Sequence, residues 1–547
     1  MYSDKQNIAI LTDLLVRHGV TRSVLCPGSR NSPISHNLFT HPDITCYALT
    51  DERSAGFFAI GTILAERTPC AMCVTSGTAL LNLAPALAEA YHQHLPLVVI
   101  SADRAAADIG QQKGQTIEQA GALSRFTNLS VNLLEPHTEA DARYCNRLVN
   151  EALLALRERG GGPVHINVPI SLPLFELTLE ELPAQRVINA ARFSADAEEI
   201  RQQVLEPLAQ AQRPMIVIGQ MSQNVCELVD MPALRQRYVV LYEALAGDNP
   251  PAFDALLEKF DDASSQQPFF PDFVLYMGGT LVSNRIRKFL GRCDASTPFV
   301  EVTLDDCPHD TFGHLTLVAH ADPAQVLQLL ASQNPQKNLS FVGRWNEALE
   351  RVHSELVAAR PAFHKQAETA AVRLLEETLD ECDIACVRHY GNSSAIRFAN
   401  NYCRHYVHCL RGVNGIEGSL SASVGTAAVF SRSIEFPKNV FCVIGDLSFF
   451  YDQNALWNSH LSGNLRILLL NNGGGEIFKT LKGLQQSPAL HHAIDGSHST
   501  SAEGICRQCG VEYMAAYGSE ELHKGITRLI HEPSERPLLL EVKSSHA

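Results

Sequence analysis

Short apolar runs alternating with amphipathic stretches predict an α/β protein built from three doubly wound parallel-sheet domains, and three observations carry that prediction. The 547 residues exceed what one hydrophobic core organises, since cores stop growing near ~250–300 residues. Strand-like runs rich in β-branched residues recur with helical spacing between them, the rhythm of parallel sheets covered on both faces. Two such runs, Val440 to Ile444 and Leu465 to Leu470, end in Gly445-Asp446 and in Asn471-Asn472-Gly473-Gly474-Gly475. Those are turn residues at carboxyl ends of buried strands, where open α/β sheets bind ligands.

In order, Ile8, Ile10, Leu11, Leu14 and Leu15 predict a first helix closed by Gly19, and Ser23 to Cys26 a strand. Strand 44–49, helix 54–66, strand 71–75, helix 80–91, strand 97–101 and strand 164–168 complete a first domain, 1–180, whose final Pro-rich stretch, 169–183, reads as a linker. A middle domain, 181–340, restarts with strands at 215–218, 239–242, 273–277 and 298–302. Gly278-Gly279 lacks the G-x-G-x-x-G spacing of a dinucleotide site and reads as a packing turn. A polar connector, 332–340, and a helix, 344–360, lead into a third domain, 341–547, with a last strand at 537–543.

Composition excludes several classes. A net charge of -15 repels nucleic acid and anionic membrane, so anionic ligands need local arginines. No apolar run approaches the ~18–20 residues that cross a bilayer, and the N-terminus lacks a signal peptide's apolar core, so a cytoplasmic protein is expected. Fifteen cysteines, an odd number spread over the chain, read as reduced thiols. Cys70/Cys73 and Cys506/Cys509 have zinc-ligand spacing, but small residues in ordinary packing is the simpler reading.

The 440–478 stretch carries the chemistry. A βαβ unit with its crossover helix at 453–461 brings Asp446 and Asn472 to one crevice. A carboxylate, an amide oxygen and the Gly473 to Gly475 carbonyls form a hard-oxygen set suited to Mg²⁺, which in turn holds a diphosphate. Three glycines admit close backbone approach, and the helix from Glu476 aims its N-terminus at the anion. Further loops fall at predicted strand ends: 26–33, 50–54, 75–78 and 101–104.

With Gly28-Ser29-Arg30, Asp51-Glu52-Arg53, Ser76-Gly77-Thr78, Asp103-Arg104, Asn392-Ser393, Arg397, Arg411-Gly412, Gly445-Asp446-Leu447-Ser448 and Asn471-Asn472, nearly the whole chain resembles the thiamine-diphosphate-dependent enzymes. That family has pyrimidine-binding, central transhydrogenase-like and diphosphate-binding domains. Within it the chain is most similar to the menaquinone-pathway branch that joins 2-oxoglutarate to isochorismate. The resemblance implies that Glu52 is catalytic, its carboxylate favouring the imino form of the cofactor's aminopyrimidine. It implies thiamine diphosphate contacts at Glu52, Ser76, Gly77, Thr78, Ser393, Ile416, Gly445, Asp446, Leu447, Ser448, Asn472, Gly474, Ile477 and Phe478. Asp446, Asn472 and Gly474 would ligate Mg²⁺, or Mn²⁺ in its place. Ser393, Arg397 and Arg411 would surround the succinyl part, and Ser29, Arg30, Arg104, Gln115 and Arg285 the isochorismate part, with Phe478 and Leu481 walling the site from water.

The resemblance further implies sites at the interface of a homodimer or dimer of dimers. The chain departs from the family at Asn284, where a lysine is usual, and at Gly473, where a third asparagine is usual. The 485–501 segment fits no pattern and reads as a mobile loop, and no catalytic histidine is expected. If Glu52 were structural, Glu89 or Glu118 would be the next carboxylates to consider. Another thiamine-dependent decarboxylase or carboligase, such as an acetohydroxyacid-synthase-like enzyme, and a non-catalytic cofactor-binding module on the same fold are the competing readings.

Overall fold

The structure is a computed structural model that describes residues 1–190, 197–260, 263–332, 339–382, 384–432 and 438–544. Among the described residues the apolar runs form sixteen strands in three sheets, with every pairing between them parallel. The first contains β1 (Arg22–Leu25), β2 (Thr45–Ala48), β3 (Cys70–Val74), β4 (Leu97–Asp103), β5 (Leu129–Asn132) and β6 (Val164–Pro169), in the order β2-β1-β3-β4-β6-β5. The middle sheet contains β7 (Pro214–Ile218), β8 (Val239–Tyr242), β9 (Phe273–Met277), β10 (Phe299–Thr303) and β11 (Leu315–His320), ordered β11-β10-β9-β7-β8. The last contains β12 (Cys386–Tyr390), β13 (Asn439–Gly445), β14 (Leu465–Asn471), β15 (Glu512–Ala516) and β16 (Leu538–Lys543), ordered β12-β13-β14-β16-β15.

Central strands are buried along their length, β3, β4, β7, β9 and β14 without a break, which is why they read as continuous apolar runs. The edge strands β5, β11, β12 and β15 are only partly buried and mix polar with apolar residues, so apolar patterning misses them. On β3, Cys70 packs into one core and Cys73 into the other, because residues three apart on a strand point to opposite faces. That orientation rules out a shared zinc site for the pair.

Several expectations are corrected. The 453–461 crossover helix is replaced by a helix Asp446–Tyr451 that starts at the carboxylate itself, followed by a 3₁₀ turn Gln453–Leu456. The 80–91 helix is broken into Thr78–Leu81 and Ala84–His92, with Pro85 at the start of the second piece. The helix Leu339–Ala358 does not open the third unit: its Trp345 is fully buried with Phe289 and Leu290 in the middle core. The 169–183 stretch is tied down, Ile170 accepting from Arg30 and Ser171 donating to Glu135. Of the 332–340 connector, residues 333–338 lie outside the described residues. Gly278-Gly279 is a packing turn: a Cβ on Gly219 would lie 1.9 Å from the Gly279 carbonyl.

The first and last sheets are locked together by two helices, Glu52–Glu66 and Ser419–Phe430. A Cβ on Gly61 would sit 2.0 Å from the Ala422 carbonyl, and one on Gly425 would sit 2.2 Å from that of Phe58. These contacts leave room for hydrogen only, so the backbones touch. Ser54 and Ser421 hydroxyls bond at 2.9 Å across the crossing, and the buried Asp452 accepts from Ser421 N and Oγ, both at 2.7 Å.

Candidate active site

Strands β13 and β14 are direct neighbours in register, Gly445 opposite Leu470, which sets the two turns side by side. Asp446 is buried, and its Oδ2 accepts from Gly473 N at 2.8 Å and Gly474 N at 3.0 Å, while Oδ1 accepts from Leu447 N at 2.6 Å. The same Gly474 N–H lies 3.1 Å from Asn472 Oδ1, so a carboxylate oxygen and an amide oxygen converge on one point. Gly473 and Gly474 have φ of 79° and 151°, a backbone that only glycine adopts without strain. Burial holds the Asp446 carboxyl above its ordinary range despite those N–H donors. A buried carboxylate beside an amide oxygen fits a hard cation such as Mg²⁺. The helix that follows, Glu476–Thr480, is only five residues long, so little of the expected dipole is present.

The 485–501 segment is not a free loop. Its Asp495 carbonyl accepts from Gly475 N at 2.6 Å, His498 N donates to the Gly473 carbonyl at 2.9 Å, and His498 Nε2 lies 3.4 Å from Asp446 Oδ2. Ser497 crowds the space beside Gly474. Sequence reasoning missed His498 because its segment has no regular periodicity; its distance of two strand-end turns from Asp446 is closed only by the fold.

Glu52 opens its helix, which Asp51 caps by accepting from Ser54 N at 3.1 Å. The Glu52 carboxylate accepts from Asn82 Nδ2 at 3.1 Å, in the break between the two short helices. Neighbouring residues fasten this loop to the last sheet: Arg53 donates to the Tyr451 carbonyl at 2.9 Å and Asn454 to Asp51 at 2.6 Å. Among the described residues no hydrogen bond or ion pair joins Glu52 to Asp446, Asn472 or the glycine turn of the same chain.

At the carboxyl ends of β1, β3 and β4 the predicted isochorismate residues gather. Arg30 and Arg104 lie close enough for each charge to disfavour the other, although burial is the larger cause of Arg30's lowered pKa. Arg104 Nε and Ser76 Oγ are buried with no protein partner, as expected of groups built for a ligand. Gly77, at φ 88°, accepts no side chain, donates to Gln119 at 2.6 Å and packs against the Gln115 backbone. Ser29 and Thr78 are exposed, on the loop after β1 and at the start of the helix after β3.

The succinyl-side residues form a second cluster. Ser393 precedes the helix Ser394–Tyr402, which carries Arg397. Arg411 is buried; its Nη1 donates to Asn392 Oδ1 at 3.1 Å, its Nη2 to the Leu281 carbonyl at 3.3 Å, and its Nε has no partner. Burial lowers the Arg411 pKa, and the nearby Arg397 charge acts in the same direction. Glu89 holds the following backbone with both oxygens, from Gly412 N and Val413 N at 2.8 Å each. A bidentate clamp of this kind occupies the Glu89 carboxylate fully, which removes it as a substitute for Glu52. Arg285 stands apart: it is ion-paired with Asp254 at 2.6 Å and Glu258 at 2.5 Å on the surface of the middle sheet's helix Asn284–Leu290.

Ile416, Ile477 and Leu481 are exposed, as are Leu81 and Val413, while Phe478 is half-buried over Gly475. Gly445, Leu447 and Ser448 surround the first turn of the helix that Asp446 begins. A separate cavity of about 530 Å³, lined by residues including Arg67, His94, Gln220 and Arg287, lies between the first and middle sheets and contains none of these site residues.

Three parallel sheets with ligand-type loops on the outer two fit the class of the thiamine pyrophosphate enzymes. A family model described as "Thiamine pyrophosphate enzyme, N-terminal TPP binding domain" matches residues 8–122. A solved structure described as "a putative thiamin diphosphate-dependent enzyme isolated from Mycobacterium smegmatis" superposes with a TM-score of 0.73 over 99% of this chain and 100% of that one, at 17% identity, and so shares the fold. Among curated proteins, 2-succinyl-5-enolpyruvyl-6-hydroxy-3-cyclohexene-1-carboxylate (SEPHCHC) synthase of Bacteroides thetaiotaomicron is 44% identical over 100% of this chain and 97% of its own. The synthase of that name from Phocaeicola vulgatus is 41% identical, covering 99% of this chain and 96% of its own. The chain belongs to the SEPHCHC synthase family.

Proposed function

We propose that this protein is a thiamine-diphosphate- and Mg²⁺-dependent transferase of menaquinone biosynthesis that decarboxylates 2-oxoglutarate and adds the resulting four-carbon unit to isochorismate. The full-length likeness to SEPHCHC synthases carries this reading. The geometry supports it through two separate arginine clusters, Arg397 with Arg411 and Arg30 with Arg104. Two dianionic substrates need two such clusters, whereas pyruvate chemistry needs neither.

Thiamine diphosphate, when bound together with Mg²⁺, would supply the acyl-anion chemistry. Asp446, Asn472 and the Gly474 carbonyl would hold the cation, and Gly445, Leu447 and Ser448 would border the diphosphate. Glu52 holds a carboxylate where the aminopyrimidine must be kept in its basic form. Ser76, Gly77 and Thr78 accommodate that ring, and Ile416 supports the bend between the two rings. Ser393, Arg397 and Arg411 bind the distal carboxylate of 2-oxoglutarate; Ser29, Arg30, Arg104 and Gln115 bind isochorismate, with Arg285 able to join only by leaving its surface ion pairs. Ile477, Phe478 and Leu481 exclude water.

Glu52 bonds within its own sheet and the cation turn lies on another, so a second copy of the chain completes each site in this reading. A homodimer or dimer of dimers, acting in the cytoplasm, follows. Arg397→Ala tests the substrate assignment. A charge-assisted hydrogen bond contributes about 1.5–3 kcal/mol, so KM for 2-oxoglutarate should rise roughly 10- to 100-fold while cofactor affinity stays within a few-fold. Turnover of pyruvate in preference to 2-oxoglutarate by the wild-type protein would point to an acetohydroxyacid-synthase-like enzyme instead.

A further inference from the structure

We infer that Glu368 is a positioning residue for the cation turn, acting through the side-chain amide of Asn472. The inference rests on the reading of Asn472 as a metal ligand, and on a hydrogen-bond pattern that permits one amide orientation only. Asn472 Nδ2 donates to Glu368 Oε1 at 2.8 Å, and Asn472 Oδ1 accepts from Gly474 N at 3.1 Å. A backbone N–H only donates, so it must face the oxygen, and that leaves the NH₂ end for Glu368, which accepts from it as an ionised carboxylate. The two partners sit at opposite ends of one amide and agree. A flipped amide would set oxygen against carboxylate and NH₂ against N–H.

The fixed orientation directs Oδ1 toward the Gly474 N–H that Asp446 Oδ2 also accepts. The two oxygens thereby lie side by side on one N–H, whereas a flipped Asn472 would set an NH₂ group beside the Asp446 carboxylate. Glu368 comes from the helix Phe363–Glu381, 104 residues before Asn472 in the chain, and belongs to no motif in the sequence. Partners of this kind, one bond removed from a metal, orient the ligand, and their loss typically weakens metal affinity 10- to 100-fold.

The test is calorimetric titration of Mg²⁺ into the full-length protein at a fixed, saturating concentration of thiamine diphosphate, together with the melting temperature of the cofactor-free protein. Glu368→Ala should weaken Mg²⁺ binding by roughly 10- to 100-fold with little change in cofactor-free melting. Glu368→Gln, which retains an acceptor oxygen for the Asn472 NH₂ group, should recover affinity to within a few-fold of wild type. If the alanine variant does not fold, Glu368→Met, closer in volume, takes its place.

Unchanged affinity in the alanine or methionine variant would overturn the proposal, as would a glutamine variant as weak as alanine, since the charge and not the orientation would then matter. Asn472→Ala serves as the control for the underlying reading. If it leaves Mg²⁺ affinity unchanged, Asn472 is not a ligand and the whole assignment of the turn fails. If it abolishes binding while Glu368→Ala does not weaken it, only the positioning role fails.

Discussion

Glu52 stands at the start of a helix with a single side-chain partner, Asn82, and in the proposed function it keeps the aminopyrimidine basic. Glu52→Gln retains shape and an acceptor but not the charge. Exchange of the cofactor's thiazolium C2 proton, followed by NMR after acid quench, should slow by orders of magnitude, while thiamine diphosphate still binds through its diphosphate end. Wild-type exchange in the variant would make Glu52 a structural residue. Asp452 is a second carboxylate with a measurable signature. Burial pushes its carboxyl up to about 6, above the ~3.9 of an unfolded chain, so the stability linked to its proton is complete below about pH 4 and is lost as pH rises through about 6. Asp452→Asn removes this titration. Urea midpoints measured from pH 4 to 8 should show the wild type losing ground to the variant as pH rises; parallel curves would place the titration elsewhere.

At the scale of elements, the contact between helices Glu52–Glu66 and Ser419–Phe430 governs where Glu52 sits relative to the last sheet. Gly61→Ala drives a methyl group into the Ala422 backbone, and overpacking of this kind costs about 1–3 kcal/mol. The melting temperature should fall, and so should cofactor affinity, since separating the helices shifts the Glu52 loop; circular dichroism melts with and without thiamine diphosphate measure both. Gly504→Ala, where a Cβ meets open space, is the matched control, and equal effects from the two would remove the helix contact as the cause. The element scale is also where sequence reading lost detail. The sequence offers 453–461 as the crossover helix, but the chain starts its helix at Asp446, directly off β13, so the carboxylate expected at the strand end also opens the helix.

For the whole molecule, Leu81, Val413, Ile416, Ile477 and Leu481 are apolar side chains left exposed close in sequence to residues of the proposed site, surface of the kind that an interface covers. Sedimentation should show a dimer or tetramer at micromolar concentration, with specific activity falling on dilution below the dissociation constant; a fully active monomer would remove the shared-site model. No described helix is long and apolar enough to cross a membrane.

The sequence by itself determined the α/β class, the parallel strands of all three sheet centres and the pairing of Asp446 with the Asn471-Asn472 turn. Each of these is written in local terms, as an apolar run stopped by glycine, aspartate or asparagine. It also located the loops that carry Arg30 and Arg104, because those strand ends are visible as the points where apolar runs stop; Arg397 and Arg411 were named by the family resemblance, since β12 before them mixes polar with apolar residues. Only the tertiary structure decided which groups face one another across the chain. His498 reaches Asp446, Glu368 orients Asn472, Glu89 is consumed by the Gly412–Val413 backbone, and Arg285 is occupied by Asp254 and Glu258. The reason is physical: a strand or turn is specified by residues a few positions apart, whereas a hydrogen bond between distant segments depends on the register and twist of whole sheets, which no local pattern encodes.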